Sequence, residues 1–479
     1  MRKIMTLALI GLIGCQADLS AQVHRSEAGG AVILPYWTAV GGGDTQMSTN
    51  DTLLSVRNDS DRATVAKLHW LDEQGEVLQS FNLYLDAASV WVGALTEGYP
   101  DVGGARLLTF PPFDGPEPDC VLPADVLTGP PDSGYQQMPL AGVRGSLEIL
   151  EMATVEEPSE LATDGRWADC ETLAARFVDG EAWQEDPNTD LAAPSQRLSA
   201  SVSIINVGQG GMNTIPATAL AGFSDVAQHT VPDSSAPDLS HAFDSAAPSG
   251  GVRSMVCHAT GCRADEWADP IEAVAAALMA TSMKVDWNIE SGLGAEFEWM
   301  IHRPLKRYEN SEGEFAIGSA PLVVKRTRSG EARASGLGEG EIYFGYPPYD
   351  PLFPDGTIEF PVTGDIVHHV LTVDLVSAPI GTAFESAILG HPGETSWSNN
   401  EFFADRQSSS DELESGSVEL LFGDHDQPLV AADGAQYLGE PVISFAIQQF
   451  TNGALSNDVL ANYRGTERPR RHLVVAEPE

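Results

Sequence analysis

The chain has 479 residues, 42% hydrophobic and 20% charged, enough for two or three domains with real cores. Its 46 Gly and 31 Pro, about a sixth of the residues, exclude collagen-like and low-complexity chains, where that share starts at roughly a quarter. With 69 acidic against 26 basic residues the net charge is −43, which repels nucleic acid and anionic membranes as partners.

Arg2 and Lys3 precede a ten-residue apolar stretch, 4–13, interrupted only by Thr6 and Gly11. Such a stretch is too short to cross a bilayer and suits a secretory signal. Ser20 and Ala21 before Gln22 offer a signal-peptidase site, which predicts a signal over 1–21. Leu12-Ile13-Gly14-Cys15 also fits a lipobox, the alternative in which Cys15 is lipidated and the chain is an outer-membrane lipoprotein. No later apolar run reaches the roughly 18 residues of a span, so no membrane span is expected.

Period-two patterning then dominates. Strands are predicted over 31–37 and 52–57, the second closed by the turn Asn58-Asp59-Ser60-Asp61. A hairpin follows over 64–71 and 77–85, with Ala66, Leu68 and Trp70 on one face and Lys67 and His69 on the other. Segments 88–95, 106–110 and 145–153 continue the series. Short strands joined by polar turns predict an antiparallel, immunoglobulin-like β-sandwich domain over 22–160. In the last of these strands Glu148 and Glu151 fall on opposite faces, so they cannot act alone as a glycosidase pair.

Residues 111–142 are rich in Pro, Gly and Asp and read as a long loop. A short helix is predicted over 169–178 with Asp169 as N-cap, while 179–200 and 224–251 read as loop or poorly ordered linker. Asp269, Pro270 and Glu272 at N-cap, N1 and N3 open a further helix ending near 281. The 161–280 stretch is thus a loop-rich bridge or insertion with short helices. Strands over 283–289, 296–303, 341–345, 357–362, 367–376, 417–422 and 441–450 make 281–479 a C-terminal β domain, with 381–414 a polar, Ser-rich excursion. The whole is mainly β with a few short helices.

Beyond Cys15 there are four cysteines, Cys120, Cys170, Cys257 and Cys262, which in an exported chain suggest two disulfides and three connectivities. Sequence order favours Cys120–Cys170 and Cys257–Cys262. A zinc site at Cys257, His258 and Cys262 lacks a second Cys/His pair nearby. With 5 Lys, 21 Arg and 69 acids, the surface is acidic and strongly hydrated. Calcium is the alternative use of Asn58-Asp59-Ser60-Asp61 or Asp424-His425-Asp426, but neither has EF-hand spacing, and no cofactor is expected.

Basic residues form two islands, Arg303, Lys306, Arg307, Lys325, Arg326, Arg328 and Arg333, then Arg464, Arg468, Arg470 and Arg471. Internal charge pairing is their default use, and docking to an acidic polymer or another copy the alternative. Tyr343, Phe344, Tyr346 and Tyr349 surround a double proline and form a candidate contact surface for a sugar or protein, with burial of at least two favoured. There is no Gly-x-Ser-x-Gly elbow, His-Glu-x-x-His motif or Walker A loop, so no catalytic, cofactor-binding or metal residue is assigned.

Val32-Ile33-Leu34-Pro35-Tyr36-Trp37-Thr38, Asn50-Asp51-Thr52-Leu53-Leu54-Ser55-Val56-Arg57-Asn58, Phe81-Asn82-Leu83-Tyr84-Leu85 and Val90-Trp91 stand in one order. Glu148-Ile149-Leu150-Glu151-Met152, Pro441-Val442-Ile443-Ser444-Phe445-Ala446 and Gln449-Phe450-Thr451-Asn452-Gly453 follow. The arrangement resembles a family of secreted β-rich proteins of Gram-negative bacteria with no assigned activity. The resemblance brackets most of the mature chain, more weakly in the middle and over 381–414. It implies export, a β-rich fold and pairing of Cys120 with Cys170, and carries over no catalytic residue. The expected function is an exported extracellular, cell-surface or periplasmic protein with a binding or structural role. Its partner would be a surface polysaccharide, a protein or a second copy. The alternative is a secreted hydrolase of polysaccharide or peptide.

Overall fold

The computed structural model describes residues 22–39, 50–72, 75–98, 104–109, 119–128, 136–156, 159–206, 211–247, 250–258, 261–288, 295–308, 325–326, 331–333, 341–345, 357–361, 386–390, 415–421, 428–455 and 459–477. More than half of these residues are strand, far above the roughly 20–25% of an average globular protein, and the sheets are largely antiparallel.

The larger sheet runs in the order Gly261–Trp267, Val252–His258, Gln22–Ser26, Thr218–Ala221, Ala31–Thr38, Arg144–Val155, Thr64–Asp72, Val77–Leu85, Cys120–Leu122. A second sheet has the order Gly211–Pro216, Leu198–Asn206, Asn50–Asn58, Val90–Glu97, Ala105–Thr109, Gln136–Leu140. One apolar core joins them. Leu34, Leu68, Phe81 and Ile149 enter it from the larger sheet, and Val56, Trp91, Leu107 and Ile204 from the second. Phe81 and Trp91 meet edge to face across it, with ring centroids 6.2 Å apart.

The predicted hairpin is present as Thr64–Asp72 and Val77–Leu85, in register from Thr64 opposite Leu85. Its two faces do not divide into core and solvent. Lys67 and His69 are as buried as Leu68 and Trp70, all at 0% exposure. The same holds for Ala31–Thr38, where Val32 and Leu34 enter the shared core while Ala31 and Ile33 enter a second cluster. That second cluster is roofed by the helix Pro270–Leu278. Asp269 caps it, its Oδ1 accepting from Ile271 N at 3.1 Å, and Glu272 reaches back to Asp269 N. The helix buries Ala275, Ala276 and Ala277 as well as its predicted stripe, because it lies between the sheet and the C-terminal strands. One glycine is dictated by the larger sheet: a Cβ on Gly145 would lie 1.8 Å from Leu71 O, beside a register shift between Gly145 and Leu147.

Several loop expectations are corrected. The 111–142 stretch supplies an edge strand to each sheet, Cys120–Leu122 and Gln136–Leu140. Within 161–280, Leu198–Asn206 pairs along Asn50–Asn58, and Thr218–Ala221 enters the larger sheet, so these residues add strands to both sheets. Val202 and Ile204 have the alternation that pairing needs, with Ser between them. In the C-terminal part, Ser282–Asn288 pairs with Ser415–Leu421 and Arg470–His472, and Ala295–His302 with Ile443–Leu455. Ser386–Gly390, placed by composition in a polar excursion, pairs with Ala295–His302 through its Ala387-Ile388-Leu389 run. Met300, Phe445 and Ile447 join the shared core. The predicted strand 367–376 and the predicted signal 1–21, with Cys15, lie outside the described residues.

Candidate functional site

The outer face of the larger sheet carries the densest polar chemistry. Glu148 sits directly opposite His69 on the neighbouring strand, and both side chains point away from the shared core. Arg307 donates to Glu148 Oε2 at 2.6 Å, and Tyr308 OH lies 3.4 Å from the same oxygen. Glu148 Oε1 has no hydrogen-bond partner. Burial therefore outweighs the pull of the guanidinium and pushes the Glu148 carboxyl up to about 7. Burial pushes the Lys67 amine down to about 7, against the opposing pull of Asp233.

An irregular segment, 224–247, lies over this face and is held by it. Lys67 Nζ donates to Val231 O and Pro232 O at 2.9 and 3.1 Å, and Asn82 Nδ2 donates to Thr230 O at 2.9 Å. His69 Nε2 is 2.8 Å from Pro237 O, a pure acceptor, so Nε2 carries the proton and Nδ1 accepts from Ser80 Oγ. Tyr308 OH accepts from Leu239 N at 3.0 Å. The segment read as loop or poorly ordered linker is thus a tied strap.

Two further buried groups act in the same way. Glu151 Oε1 accepts from Thr64 Oγ1, Ser195 N and Ser195 Oγ, and its Oε2 accepts from Gln196 N at 2.7 Å, which fixes the turn before Leu198–Asn206. Burial raises its carboxyl, with those donors opposing. Glu148 and Glu151 serve different segments on opposite sides of their strand, as the alternation requires. His229 Nδ1 donates to Pro187 O at 2.6 Å and Nε2 accepts from Tyr84 OH at 2.9 Å, within a cage of Tyr84, Phe177 and Trp183. Burial holds His69 and His229 down at about 4, so both are neutral at pH 7.

Among the described residues, two clefts stand open. One, of about 430 Å³, lies beside the Cys120–Cys170 disulfide and is lined by Asp86, Asp119, Arg166 and Trp167. Asp119 is pushed up to about 6 by burial and by the Asp86 charge. Asp86 Oδ1 accepts from Trp167 N at 2.9 Å. The other, of about 490 Å³, lies where Gln22–Ser26 meets the C-terminal strands and is lined by Arg25, Arg468 and Arg471 with Pro35, Thr218 and Phe445. Arg471 donates to Met279 O at 2.6 Å and Arg468 pairs at 3.3 Å with the exposed Glu27.

Both disulfides form as sequence order proposed: Cys120–Cys170 across the edge of the larger sheet, and Cys257–Cys262 between directly paired residues of one hairpin. Internal pairing accounts for Arg303 with Glu440 at 2.9 Å, Arg307 with Glu148, and Arg470 with Asp286 at 3.1 Å. Lys325, Arg326 and Arg333 lie on short strands described by backbone alone, and Arg328 lies outside the described residues. Tyr343 and Phe344 stand on Glu341–Gly345, paired with Thr357–Pro361, whereas Tyr346 and Tyr349 lie outside the described residues.

Asn58-Asp59-Ser60-Asp61 is a self-satisfied turn in which Asn58 Oδ1 accepts from Ser60 N and Oγ. Among the described residues no group of three His, Cys, Asp or Glu could hold a metal, and Asp424-His425-Asp426 lies outside them. Sequence reasoning missed Lys67, His69, His229 and Arg25. A Lys and a His alternating with apolar residues in a strand was the available signal for the first two. No family model matches the chain, and no curated protein or solved structure matches it.

Proposed function

We propose that the chain is an exported protein, built around an antiparallel sandwich of immunoglobulin-like type, with a binding or structural role at the cell surface. The observation that carries this reading is the use made of its buried ionisable groups. Glu151, His69 and His229 are occupied in holding irregular chain against sheet, and Glu148 is occupied by Arg307 and Tyr308. A catalyst needs a base or nucleophile open to substrate, whereas the larger open cleft presents guanidiniums. Two disulfides suit an oxidising compartment, and among the described residues no helix is long and apolar enough to cross a membrane. The resemblance to secreted proteins of Gram-negative bacteria points the same way.

Fractionation of a Gram-negative host expressing the full chain tests it. The protein is expected in the periplasm, on the surface or in the medium, beginning at Gln22 and with no free thiol. Reduced protein in the cytoplasm overturns the reading, and a diacylglycerol on Cys15 selects the lipoprotein form. A hydrolase of polysaccharide or peptide is the second reading, favoured by Asp119, a carboxyl raised to about 6 beside Asp86 in an open cleft. Hydrolysis of either polymer, lost in Asp119→Asn, would replace the first reading.

A further inference from the structure

We infer that the arginine-lined cleft is a binding site for an anionic ligand of roughly monosaccharide to disaccharide size, held through a carboxylate, sulfate or phosphate group. The inference rests on the binding reading and deepens it, while export can stand even if the cleft takes no anion. Three guanidiniums from chain segments some 440 residues apart line one cavity of about 490 Å³, within the usual range of ligand sites.

One carboxylate, Glu27, also lines the cavity, so the three charges are only partly offset there. Arg25 has no ion pair or side-chain hydrogen bond to any described residue, although the chain carries 69 acids. Arg471 spends its donors on the neutral carbonyls of Met279 and Ala277, at the end of the helix Pro270–Leu278. Only Arg468 meets a carboxylate, Glu27, in a pair exposed on both sides. Arg25 therefore feels burial and the Arg468 charge together, and Arg471 feels burial and the Arg25 charge. Like charges gathered in a half-buried cleft are unfavourable until an anion enters, and planar guanidinium forks match oxyanions in shape.

The walls are stiff. Pro35, Pro216 and Pro469 stand around the arginines, and Phe445 and Ile443 supply an apolar floor for the body of a ligand. Ser26, Thr218 and Ser444 add hydroxyls, though Ser444 Oγ already accepts from Trp299 Nε1 at 3.0 Å. The arrangement offers cations for one charged group and a mixed surface for the remainder.

The test is thermal melting of the full-length, disulfide-bonded protein titrated with inorganic phosphate, sulfate, galacturonate and digalacturonate. Galactose serves as the neutral control and sodium chloride as the ionic-strength control. A saturable rise in melting temperature beyond the chloride control is expected for at least one anion, and absent for galactose. A response to the uronates names a carboxylated sugar, and a response to phosphate or sulfate names a tetrahedral oxyanion. Arg25→Gln is expected to raise the melting temperature of the ligand-free protein while weakening the anion at least ten-fold. A residue with a merely structural role would not move those two readouts in opposite directions. Should Arg25→Gln fail to fold, the exposed Arg468→Gln is expected to weaken the anion about three-fold or more. No anion response beyond chloride, or full affinity retained in the variant that folds, overturns the inference.

Discussion

Arg307 and Arg25 are the same side chain in two settings, and the contrast separates structure from recognition. Arg307 lies under the strap, 2.6 Å from the buried carboxylate of Glu148, and that partner holds its guanidinium charged against the cost of burial. Arg25 stands in an open cleft with Arg468 and Arg471, with no carboxylate of its own among the described residues. A surplus of acids does not ensure pairing: Glu27, which also lines the cleft, meets Arg468 and not Arg25. Where the chain supplies the counter-charge, the arginine clamps the fold. Where it does not, a ligand can supply it.

The largest expected effect breaks the clamp. At pH 8, above the value of about 7 at which its carboxyl ionises, Arg307→Met leaves Glu148 buried beside Tyr308 without a counter-charge, and should cost about 3–5 kcal/mol in urea unfolding. Adding Glu148→Leu removes the orphaned charge and should restore most of the loss. Arg25→Gln should move stability the other way, by relieving repulsion. A loss below about 1 kcal/mol for Arg307→Met, the range of an exposed pair, would erase the distinction between the two arginines.

The disulfides sharpen the comparison, because one ties the clamped side and the other lies within a local hairpin. Cys120–Cys170 spans 50 residues and fastens the helix Cys170–Ala175 to the edge of the larger sheet, whereas Cys257–Cys262 spans 5. On chain-entropy grounds the first is worth about 4 kcal/mol and the second about 2 kcal/mol. Thermal melting should therefore show Cys170→Ser below Cys262→Ser. Equal losses would mean that the strap and sheet hold this region without the longer bridge.

Much of the fold is legible in the sequence where pattern and chemistry are local. The alternation of Thr64–Asp72 and Val77–Leu85, the Asp269-Pro270-Glu272 cap and the cysteine order all correspond to what forms. Alternation, however, reports which face is apolar and not whether the other face is wet. Lys67 and His69 read only as the opposite face, and the strap that covers them has no periodicity to announce it. Leu198–Asn206 was hidden by its serines, and Gln22–Ser26 by its brevity. For the cleft, Arg468 and Arg471 stood out as half of a basic island, but Arg25 could not be joined to them. Only the sheet order, which sets Gln22–Ser26 near the C-terminal strands, brings it there.

The pH dependence separates the two regions. His229 is neutral and buried in the folded chain at about 4, against 6.5 when exposed, because burial disfavours the imidazolium. Between these values the unfolded chain binds a proton that the folded chain does not. His229 therefore contributes stability that is complete above pH 6.5 and lost as pH falls to about 4, by about 1.4 kcal/mol per unit. Glu148 acts in the opposite sense. Its folded carboxyl keeps a proton up to about 7 while the unfolded one releases it near 4.5, so its share falls as pH rises between them. The slope of the native protein mixes both, and the difference between variants isolates one. His229→Phe should lower stability at pH 8, where Tyr84 and Pro187 lose their partner, yet show an acid limb shallower by one proton. Arg25 and Arg471, held down only to about 10 and about 9, remain cationic throughout this range. Sulfate affinity at the cleft should accordingly stay flat as pH falls from 7 to 4 while the His229 contribution is lost. Parallel acid limbs for the native protein and His229→Phe would show that this histidine is not sealed, and with it that the strap does not close the face it covers.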